Sequence, residues 1–287
     1  MSKFLRQSDA AQGYSFAHTL DDIVTAGDFM LHQHDGYEVL IFYCGDAEFI
    51  VEGSVYALRP FDVVIARENE MHRIFHRAPV PYERVVLGFE PVFFQQNNCM
   101  AYQEIFINRK NGKGNVLRSE AVLESDLLEI VARIERYIKE GDETVIRCAL
   151  VEFLYTLNQL KNAEVKSAPQ NRTVRAVTQY INENLGGDLR LDTLAEKFYV
   201  SKYHLCRVFK ACTGYTLNRY IINKRLQYAE KLCRDGIPIG TAATMAGFGD
   251  YSCFYKAYVR ERGIAPRDGM RAERRPNALF YPDVIGD

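Results

Sequence analysis

The sequence lacks the features that would direct a chain into a membrane or out of the cell. It contains no apolar run approaching the roughly 18 to 20 residues of a membrane-spanning helix. The N-terminal stretch is polar and lacks the apolar segment of a signal peptide. The 7 cysteines form no C-x-x-C pair, and an odd number of them indicates free thiols in a reducing compartment. We therefore expect a cytoplasmic protein with no membrane partner.

The chain also has little net charge, but its two halves differ in sign. The formal net charge is -1. Residues 171–287 contain 19 Lys and Arg against 12 Asp and Glu, whereas residues 1–170 contain 17 against 25. A chain of this length can form two domains, each with its own core. A basic half beside an acidic half indicates that one domain alone contacts nucleic acid.

The first half is rich in short strand-like runs. β-branched and aromatic segments alternate with Gly and Pro at a spacing of roughly 8–10 residues between about residues 14 and 94, which predicts a β-sandwich or small barrel. The clearest runs are 37–42, 48–51, 63–66 and 84–89. Two histidines here, His18 and His76, fit no motif spacing, and we predict ordinary surface or edge positions for them.

Three histidines and a glutamate form a candidate site in this region. His32 and His34, two residues apart on a strand, would point to the same face, with Glu38 and His72 further along the chain. The set resembles the two sequence motifs of the cupin fold, except that Asp62 stands where the second motif has glycine. We predict that these four residues line an effector pocket or serve as structural polar residues, with no bound metal. The alternative is a divalent metal site, because imidazole nitrogens plus one carboxylate suit a first-row ion with open positions.

After residue 119 the apolar period becomes that of a helix. The pattern continues to about Lys139, is broken at Gly141 and restarts at Asp142, which predicts an αα-hairpin. The two apolar stripes comprise Leu123, Leu127, Ile130, Ile134 and Ile138, then Val145, Ala149, Phe153, Leu157 and Leu160. These stripes either cover the barrel or form a self-complementary dimer face, and the sequence leaves both readings open.

The second half contains two helix-turn-helix patterns in tandem. They occupy residues 191–210, the first helix-turn-helix unit, and 239–258, the second helix-turn-helix unit. In each, a short amphipathic helix carries a small alanine, Ala195 or Ala243, where two steeply crossing helices need little side chain. The second helix of each pattern is opened by a good N-cap residue, Ser201 or Asp250. The paired patterns predict a module that reads DNA.

Residues that fit a known family pattern extend beyond these two helix-turn-helix patterns. Their order resembles the DNA-binding domain of the AraC/XylS family of bacterial transcriptional regulators. The matched positions are Leu194, Ala195, Ser201, Leu205, Arg207, Phe209, Lys210, Thr213, Gly214, Tyr220, Arg225, Leu226, Ala229, Leu232, Ile239, Ala243, Gly247, Phe248, Asp250, Ser252, Phe254, Gly263, Pro266 and Arg271. Together with the cupin-like first half, the resemblance covers nearly the whole chain.

The resemblance implies that one long helix holds two helix-turn-helix units that enter successive major-groove segments about 34 Å apart. Carried over by position, the DNA-binding residues are Ser201, Lys202, Tyr203, Cys206, Arg207 and Lys210 in the first unit and Tyr251, Ser252, Tyr255 and Lys256 in the second. Among these, Arg207 suits a bidentate contact with a guanine edge. We also consider Lys210, Arg219, Lys224 and Arg225 candidate phosphate contacts, with solvated surface charges as the equal alternative.

The second helix-turn-helix unit departs from the family pattern in three places. Pro238 stands at the expected Ser or Thr N-cap, Gly240 lies early in the helix, and Ala242 replaces a large aliphatic residue. Proline is tolerated near a helix start, whereas glycine costs roughly 1 kcal/mol relative to alanine. We predict that the second unit is less rigid and binds DNA more weakly than the first.

These observations predict an α+β two-domain fold, with an N-terminal cupin-like β-barrel carrying an αα-hairpin and a C-terminal all-α bipartite helix-turn-helix domain. The predicted segments are a ligand-sensing domain at 1–115, a dimerising hairpin at 116–163, a linker at 164–171, a DNA-binding domain at 172–275 and a tail at 276–287.

The family resemblance implies a sequence-specific transcriptional regulator rather than an enzyme, and an activator rather than a pure repressor. Its expected partners are double-stranded promoter DNA, a small-molecule effector such as a sugar or related carbon source, a second copy of the chain and RNA polymerase. Effector binding would change the placement of the dimer halves or of the domains. Two alternatives are a metal-dependent cupin enzyme fused to a DNA-binding module and a constitutive regulator whose cupin domain only dimerises.

Overall fold

The computed structural model describes most of the chain as two compact units, residues 4–160 and 171–272. Within them, the described residues are 4–24, 32–34, 36–68, 70–160, 171–213 and 215–272. The predicted linker 164–171, except its last residue, and the predicted tail 276–287 lie outside these ranges, as does Gly214 among the matched positions. Across the described helices, none is long and apolar enough to cross a membrane.

The first compact unit, residues 4–160, is built on two antiparallel sheets. Its strands are β1 Phe4–Asp9, β2 Tyr14–Asp21, β3 Tyr37–Cys44, β4 Ala47–Val51, β5 Ser54–Ala57, β6 Val63–Ala66, β7 His72–His76, β8 Tyr82–Phe89 and β9 Val116–Leu117. One sheet has six strands in the order β1-β2-β8-β3-β6-β9, and the other has three in the order β5-β4-β7. The four predicted runs lie in β3, β4, β6 and β8, so these predictions are confirmed.

The larger sheet is apolar on both faces, which explains why β3 is a continuous apolar run. Successive side chains on a strand point to opposite faces. Val39 and Ile41 face a core shared with the helices of this unit. Leu40 and Phe42 face a second core shared with the smaller sheet. Glu38 has the same parity as Leu40, so β3 turns its carboxylate toward the second core.

Five helices follow or interrupt these strands: α1 Pro91–Gln96, α2 Glu104–Ile107, α3 Ser119–Leu123, α4 Leu127–Glu140 and α5 Glu143–Gln159. A 3-10 turn, Met100–Gln103, precedes α2. The predicted break between α4 and α5 is confirmed. Gly141 adopts a left-handed conformation with φ of 76°, and the Asp142 carboxylate accepts the amides of Thr144 and Val145 at 3.0 and 3.2 Å.

The hairpin differs from the prediction at its start. Instead of one helix from residue 119, α3 ends before Ser125, whose Oγ donates to Val122 O at 2.8 Å and accepts the Leu127 amide at 3.3 Å. Leu123 is therefore 58% exposed and does not belong to the apolar stripe. The buried residues of both longer helices, such as Ile134 and Phe153, pack into the core of the larger sheet. The stripes cover the sheet, while a dimer face stays a prediction.

The second compact unit, residues 171–272, contains only helices among its described residues. They are α6 Arg172–Glu183, α7 Leu191–Lys197, α8 Lys202–Thr213, α9 Leu217–Arg234, α10 Ile239–Met245, α11 Tyr251–Arg262 and α12 Pro266–Ala272. The long helix α9 packs against α8 of the first helix-turn-helix unit and against α10 and α11 of the second. One long helix thus holds both units, and the predicted class, a sheet-rich domain plus a helical domain, is confirmed.

The predicted local signals of both helix-turn-helix units are present. Ser201 Oγ accepts the amide of His204 at 3.2 Å, and Asp250 Oδ1 accepts the amide of Cys253 at 2.7 Å. These bonds satisfy amides that have no partner inside the first turn of a helix. Ala195 and Ala243 are both buried, as a close crossing of two helices requires.

A junction connects the second helix-turn-helix unit with the segment that precedes the first. We define it as the turn 185–187, the turn 245–247 and the side chain of Arg225. Its guanidinium donates to the carbonyls of Leu185 at 3.0 Å and Gly187 at 2.7 Å. A Cβ at Gly186 would lie 2.6 Å from the Met245 carbonyl oxygen, and one at Gly247 would lie 2.6 Å from that of Leu185. The two turns therefore touch backbone to backbone.

Candidate DNA-reading helices and effector site

The first recognition helix, α8, separates its core face from its outer face as predicted. Leu205 and Phe209 are buried. Of the predicted DNA-binding residues, Ser201, Lys202, Tyr203, Arg207 and Lys210 are exposed and Cys206 is half-buried. The Tyr203 ring is 77% exposed, and the Arg207 guanidinium lies 5.9 Å from its centroid. This arrangement offers a cation and an aromatic surface together on the outer face.

The second recognition helix, α11, is organised in the same way. Phe254 and Tyr258 are buried in a cluster with the alanines of α10. The predicted DNA-binding residues Tyr251, Ser252, Tyr255 and Lys256 are all exposed. The rings of Tyr251 and Tyr255 lie 6.3 Å apart. The outer face of α11 is thus more aromatic and carries less charge than that of α8.

The three candidate phosphate contacts on α9 make contacts within their own compact unit. Lys224 is buried, with its ammonium 5.7 Å from the centroid of the Tyr220 ring. Arg225 donates to the backbone carbonyls of the junction. Arg219 is paired with Glu261 at 2.9 Å. The burial of Lys224 contradicts the phosphate prediction for that residue, whereas a phosphate contact by Arg219 or Arg225 stays a prediction.

The predicted effector residues come together in the first unit. The backbones of His32 and His72 form an isolated antiparallel bridge through two hydrogen bonds of 2.9 Å. The Nε2 atom of His34 lies 3.2 Å from one Glu38 carboxylate oxygen, and that of His72 lies 3.6 Å from the other. One ligand atom from each of the four residues, His32 included, lies within 4.8 Å of the others. We call this group the His/Glu cluster.

Backbone carbonyls orient two of the imidazole rings. The Nδ1 atom of His72 lies 2.7 Å from the Glu70 carbonyl oxygen, and that of His34 lies 3.1 Å from the Gly36 carbonyl oxygen. A carbonyl only accepts hydrogen bonds, so Nδ1 carries the proton in both rings. Nε2 of each ring is consequently the atom that faces the Glu38 carboxylate.

Glu38 and His72 are the two buried members of the His/Glu cluster, and the pKa of each is shifted. Burial alone would raise the pKa of Glu38, but the neighbouring His34 and His72 outweigh it and hold that pKa well below the usual range. Burial alone would lower the pKa of His72, and the Glu38 carboxylate outweighs it and raises that pKa. A charged carboxylate among three imidazoles is able to bind hydroxyl groups or a cation. Both uses match the chemistry of the residues.

The sequence did not reveal Glu70, which positions His72 through its carbonyl oxygen. The Glu70 carboxylate is fully buried and accepts hydrogen bonds from Arg109, the Gly112 amide at 2.8 Å and Asn115 at 3.0 Å. These partners lie about 40 residues further along the chain, so no local pattern signals them. Asp62, at the motif's glycine position, is also buried and accepts the amides of Arg59 and Ser119 at 2.9 and 3.0 Å.

Comparison with known protein families identifies both units. A model of the AraC-like ligand binding domain matches residues 24–135, and a helix-turn-helix domain model matches residues 194–272. The chain belongs to the AraC/XylS family of transcriptional regulators. Among the curated relatives of this AraC/XylS protein are the HTH-type transcriptional activators RhaS of several Escherichia coli strains. They are 24% identical over 246 residues, which is 84% of this chain and 87% of theirs.

Solved structures similar to this AraC/XylS protein include unsaturated fatty acid bound ToxT from Vibrio cholerae, with 13% identity and a TM-score of 0.40 over 93% of this chain and 97% of that one. The DNA-binding domain of AdpA, in complex with a target DNA, has 24% identity and a TM-score of 0.33 over 36% of this chain and 96% of that one. The family models show that the protein is a DNA-binding transcriptional regulator with a ligand-binding domain.

Proposed function

We propose that the protein activates transcription from promoters that it recognises with α8 and α11. The observation that carries this proposal is the pair of capped recognition helices, both with outward-facing polar and aromatic residues, held by the single helix α9. The assignment as an activator is supported by the relatives named as transcriptional activators. The base-reading contacts are Arg207 on α8 and Lys256 on α11, with the remaining predicted residues around them.

The ligand-binding domain takes a small-molecule effector at the His/Glu cluster. The charged Glu38 carboxylate and the neighbouring imidazoles suit a ligand with several hydroxyl groups, such as a sugar or related carbon source. The effector acts by binding one arrangement of the regulator more tightly than another, since a ligand with equal affinity for both shifts nothing. The protein works in the cytoplasm as a homodimer that contacts RNA polymerase. It is a regulator rather than an enzyme, as its matched relatives are.

The experiment for the DNA-reading role is Arg207→Ala. Binding sites are first selected from random duplexes with the full chain, and affinities are then measured at fixed salt. Loss of one bidentate base contact costs about 2 kcal/mol, so we expect roughly 30-fold weaker binding and relaxed preference at one base position. Lys139→Ala, which removes the same charge from an exposed site in the first compact unit, serves as the control. Unchanged affinity and preference for Arg207→Ala would refute the placement of α8.

The effector class is tested by a thermal-shift screen of sugars with the full chain. A sugar bound at the His/Glu cluster raises the melting temperature of the wild-type chain and does not raise that of Glu38→Gln. A sugar that stabilises both equally contradicts this location for the effector.

A further inference from the structure

We propose that Arg225 is a positioning residue that sets the spacing at which the protein reads its two DNA segments. Its guanidinium holds the turn before the first helix-turn-helix unit against the turn inside the second. This contact fixes the placement of α8 relative to α11. The inference rests on the proposed function, because it takes α8 and α11 as the two reading helices.

The Arg225 guanidinium is bound just beyond the C-terminal end of α6. Its Nε donates to the Leu185 carbonyl at 3.0 Å, and one Nη donates to the Gly187 carbonyl at 2.7 Å. Helix α6 ends at Glu183, so the cation lies near the end of the helix where the dipole favours positive charge. A guanidinium presents its N–H groups in a rigid planar fork, so the two bound carbonyls cannot shift independently of each other.

The turn inside the second helix-turn-helix unit is packed against the same guanidinium. A Cβ at Gly247 would lie 2.9 Å from the Nε and Cζ atoms of Arg225 and 2.6 Å from the Leu185 carbonyl oxygen. A Cβ at Gly186 would lie 2.6 Å from the Met245 carbonyl oxygen. Contacts this close leave no room for a side chain, so the two turns support each other through their backbones.

Short paths connect the junction with both recognition helices. On one side, α6 packs against α8. On the other side, the turn that contains Gly247 leads within three residues to Asp250, the N-cap of α11. Helix α11 is in turn bound to α9 by the pair Arg262–Glu230 at 2.9 Å. A shift at the junction therefore moves α8 relative to α11.

The shared helix α9 is expected to fix this placement less well by itself. The first recognition helix meets α9 through the rings of Phe209 and Tyr220, whose centroids are 5.4 Å apart. Ring packing of this kind tolerates a change in angle more readily than a bidentate hydrogen-bonded contact does. Arg225 lies five residues after Tyr220, about 7.5 Å further along the helix at about 1.5 Å per residue. The junction is thus a second attachment, and two attachments resist a twist that one permits.

The spacing between two contacted DNA segments depends on this twist. One additional base pair moves the second segment about 3.4 Å along the duplex and roughly 35° around it. Two helices held by the junction cannot both follow this change, so one of them loses base contacts. A phosphate contact by Arg225 acts differently, because phosphates carry no sequence information and strengthen binding by a similar factor at every spacing.

The test compares the wild-type full chain with Arg225→Lys, which keeps the positive charge but cannot form the bidentate fork. The wild-type chain first selects a two-segment site from random duplexes. Affinities are then measured at fixed salt for this site and for versions with one base pair added or removed between the segments. We expect the wild-type chain to lose roughly 30-fold at the altered spacings and Arg225→Lys to lose less than about threefold.

A second junction variant and a control accompany this comparison. Gly186→Ala changes no charge but pushes the turns apart at the Met245 carbonyl, so it should also flatten the dependence on spacing. Arg234→Lys makes the same substitution at an exposed position, the last residue of α9, and should keep the dependence of the wild type. Circular dichroism checks that each variant is folded, and Gly186→Ala provides the result if Arg225→Lys does not fold.

Two results would overturn the inference: a wild-type chain that tolerates the altered spacings, or a folded Arg225→Lys chain that discriminates against them as strongly as the wild type. A weaker affinity of Arg225→Lys by one factor at all spacings belongs to the second result. The selection step keeps the two claims apart. A chain that selects a two-segment site but fails the spacing test contradicts only the role of Arg225, whereas a chain that selects no such site contradicts the proposed function.

Discussion

The turns of the two helix-turn-helix units have the same backbone and different residues. In both, the second residue after the first helix is left-handed: Tyr199 with φ of 54° and Gly247 with φ of 88°. The next amide in each turn reaches back to the buried alanine carbonyl at 3.0 or 3.1 Å. Tyr199 is 96% exposed, whereas Gly247 lies against the Leu185 carbonyl. The second turn needs glycine because of its neighbour, and the first tolerates strain because nothing crowds it.

The first helices of the units differ in how they are held. Neither α7 nor α10 has a side-chain N-cap. Thr193 on α7 donates to Asp188 at 3.0 Å, but α10 has Gly240 in its first turn with open space around it. The buried face of α10 consists of alanines against the rings of Phe254 and Tyr258. Helix α10 therefore has a weaker intrinsic preference for helix and depends more on packing.

The largest expected effect comes from Gly247→Ala. A Cβ there would be 2.6 Å from the Leu185 carbonyl oxygen and 2.9 Å from the Arg225 guanidinium, in a left-handed conformation. The clash and the conformational cost together should reduce the free energy of unfolding by about 3 kcal/mol. The matched control is Gly263→Ala, also left-handed but with no atom within 4 Å, which should cost about 1 kcal/mol. Equal losses in urea unfolding of the two variants would show that the junction is not tightly packed.

A smaller change, in the opposite direction, is expected for Gly240→Ala. The new methyl group meets nothing within 4 Å, and alanine favours the helix by up to about 1 kcal/mol. The amides of α10 should then exchange more slowly with solvent, while those of α7 stay unchanged. If α10 of the wild-type chain is already as protected as α7 in hydrogen exchange, the predicted difference in rigidity is wrong.

The smallest effect is expected for Tyr199→Gly. Glycine relieves the left-handed strain but adds freedom to the unfolded chain, which leaves a net gain of about 0.5 kcal/mol. Tyr199→Phe keeps the strain and should leave the melting temperature unchanged. A loss of stability in the glycine variant, measured beside the phenylalanine variant, would mean that the exposed ring makes a stabilising contact.

Short-range signals in the sequence predicted much of the helical compact unit, residues 171–272. Caps such as Ser201 and Asp250, and the alanines at the helix crossings, are decided by residues within one or two turns. The sequence did not predict contacts between distant segments of the chain. Arg225 reaches carbonyls about 40 residues earlier in the chain, and nothing near it distinguishes that role from a phosphate contact.

In the first compact unit, residues 4–160, periodicity in the sequence predicted the main strands. It did not predict the environment of single polar residues. His76, predicted at the surface or an edge, lies in the edge strand β7 of the smaller sheet but is buried, with its ring 4.4 Å from that of Tyr82. The four residues of the His/Glu cluster could be named from their spacing. The carbonyls that orient their rings could not, because a main-chain oxygen has no signature in the sequence.

The junction also has a consequence for the DNA. Arg225 and the close contact between the turns 185–187 and 245–247 hold the second helix-turn-helix unit against the segment that precedes the first. Under the proposed function, a mismatch between the separation of the two recognition helices and the helical repeat of a bound duplex would be absorbed in part by bending or twisting of the duplex. Smooth bending of a site costs of order 1 to 6 kcal/mol and depends on base sequence. Under the proposed function, the mechanical stiffness of the bases between the two contacted segments would thus be part of what this protein recognises.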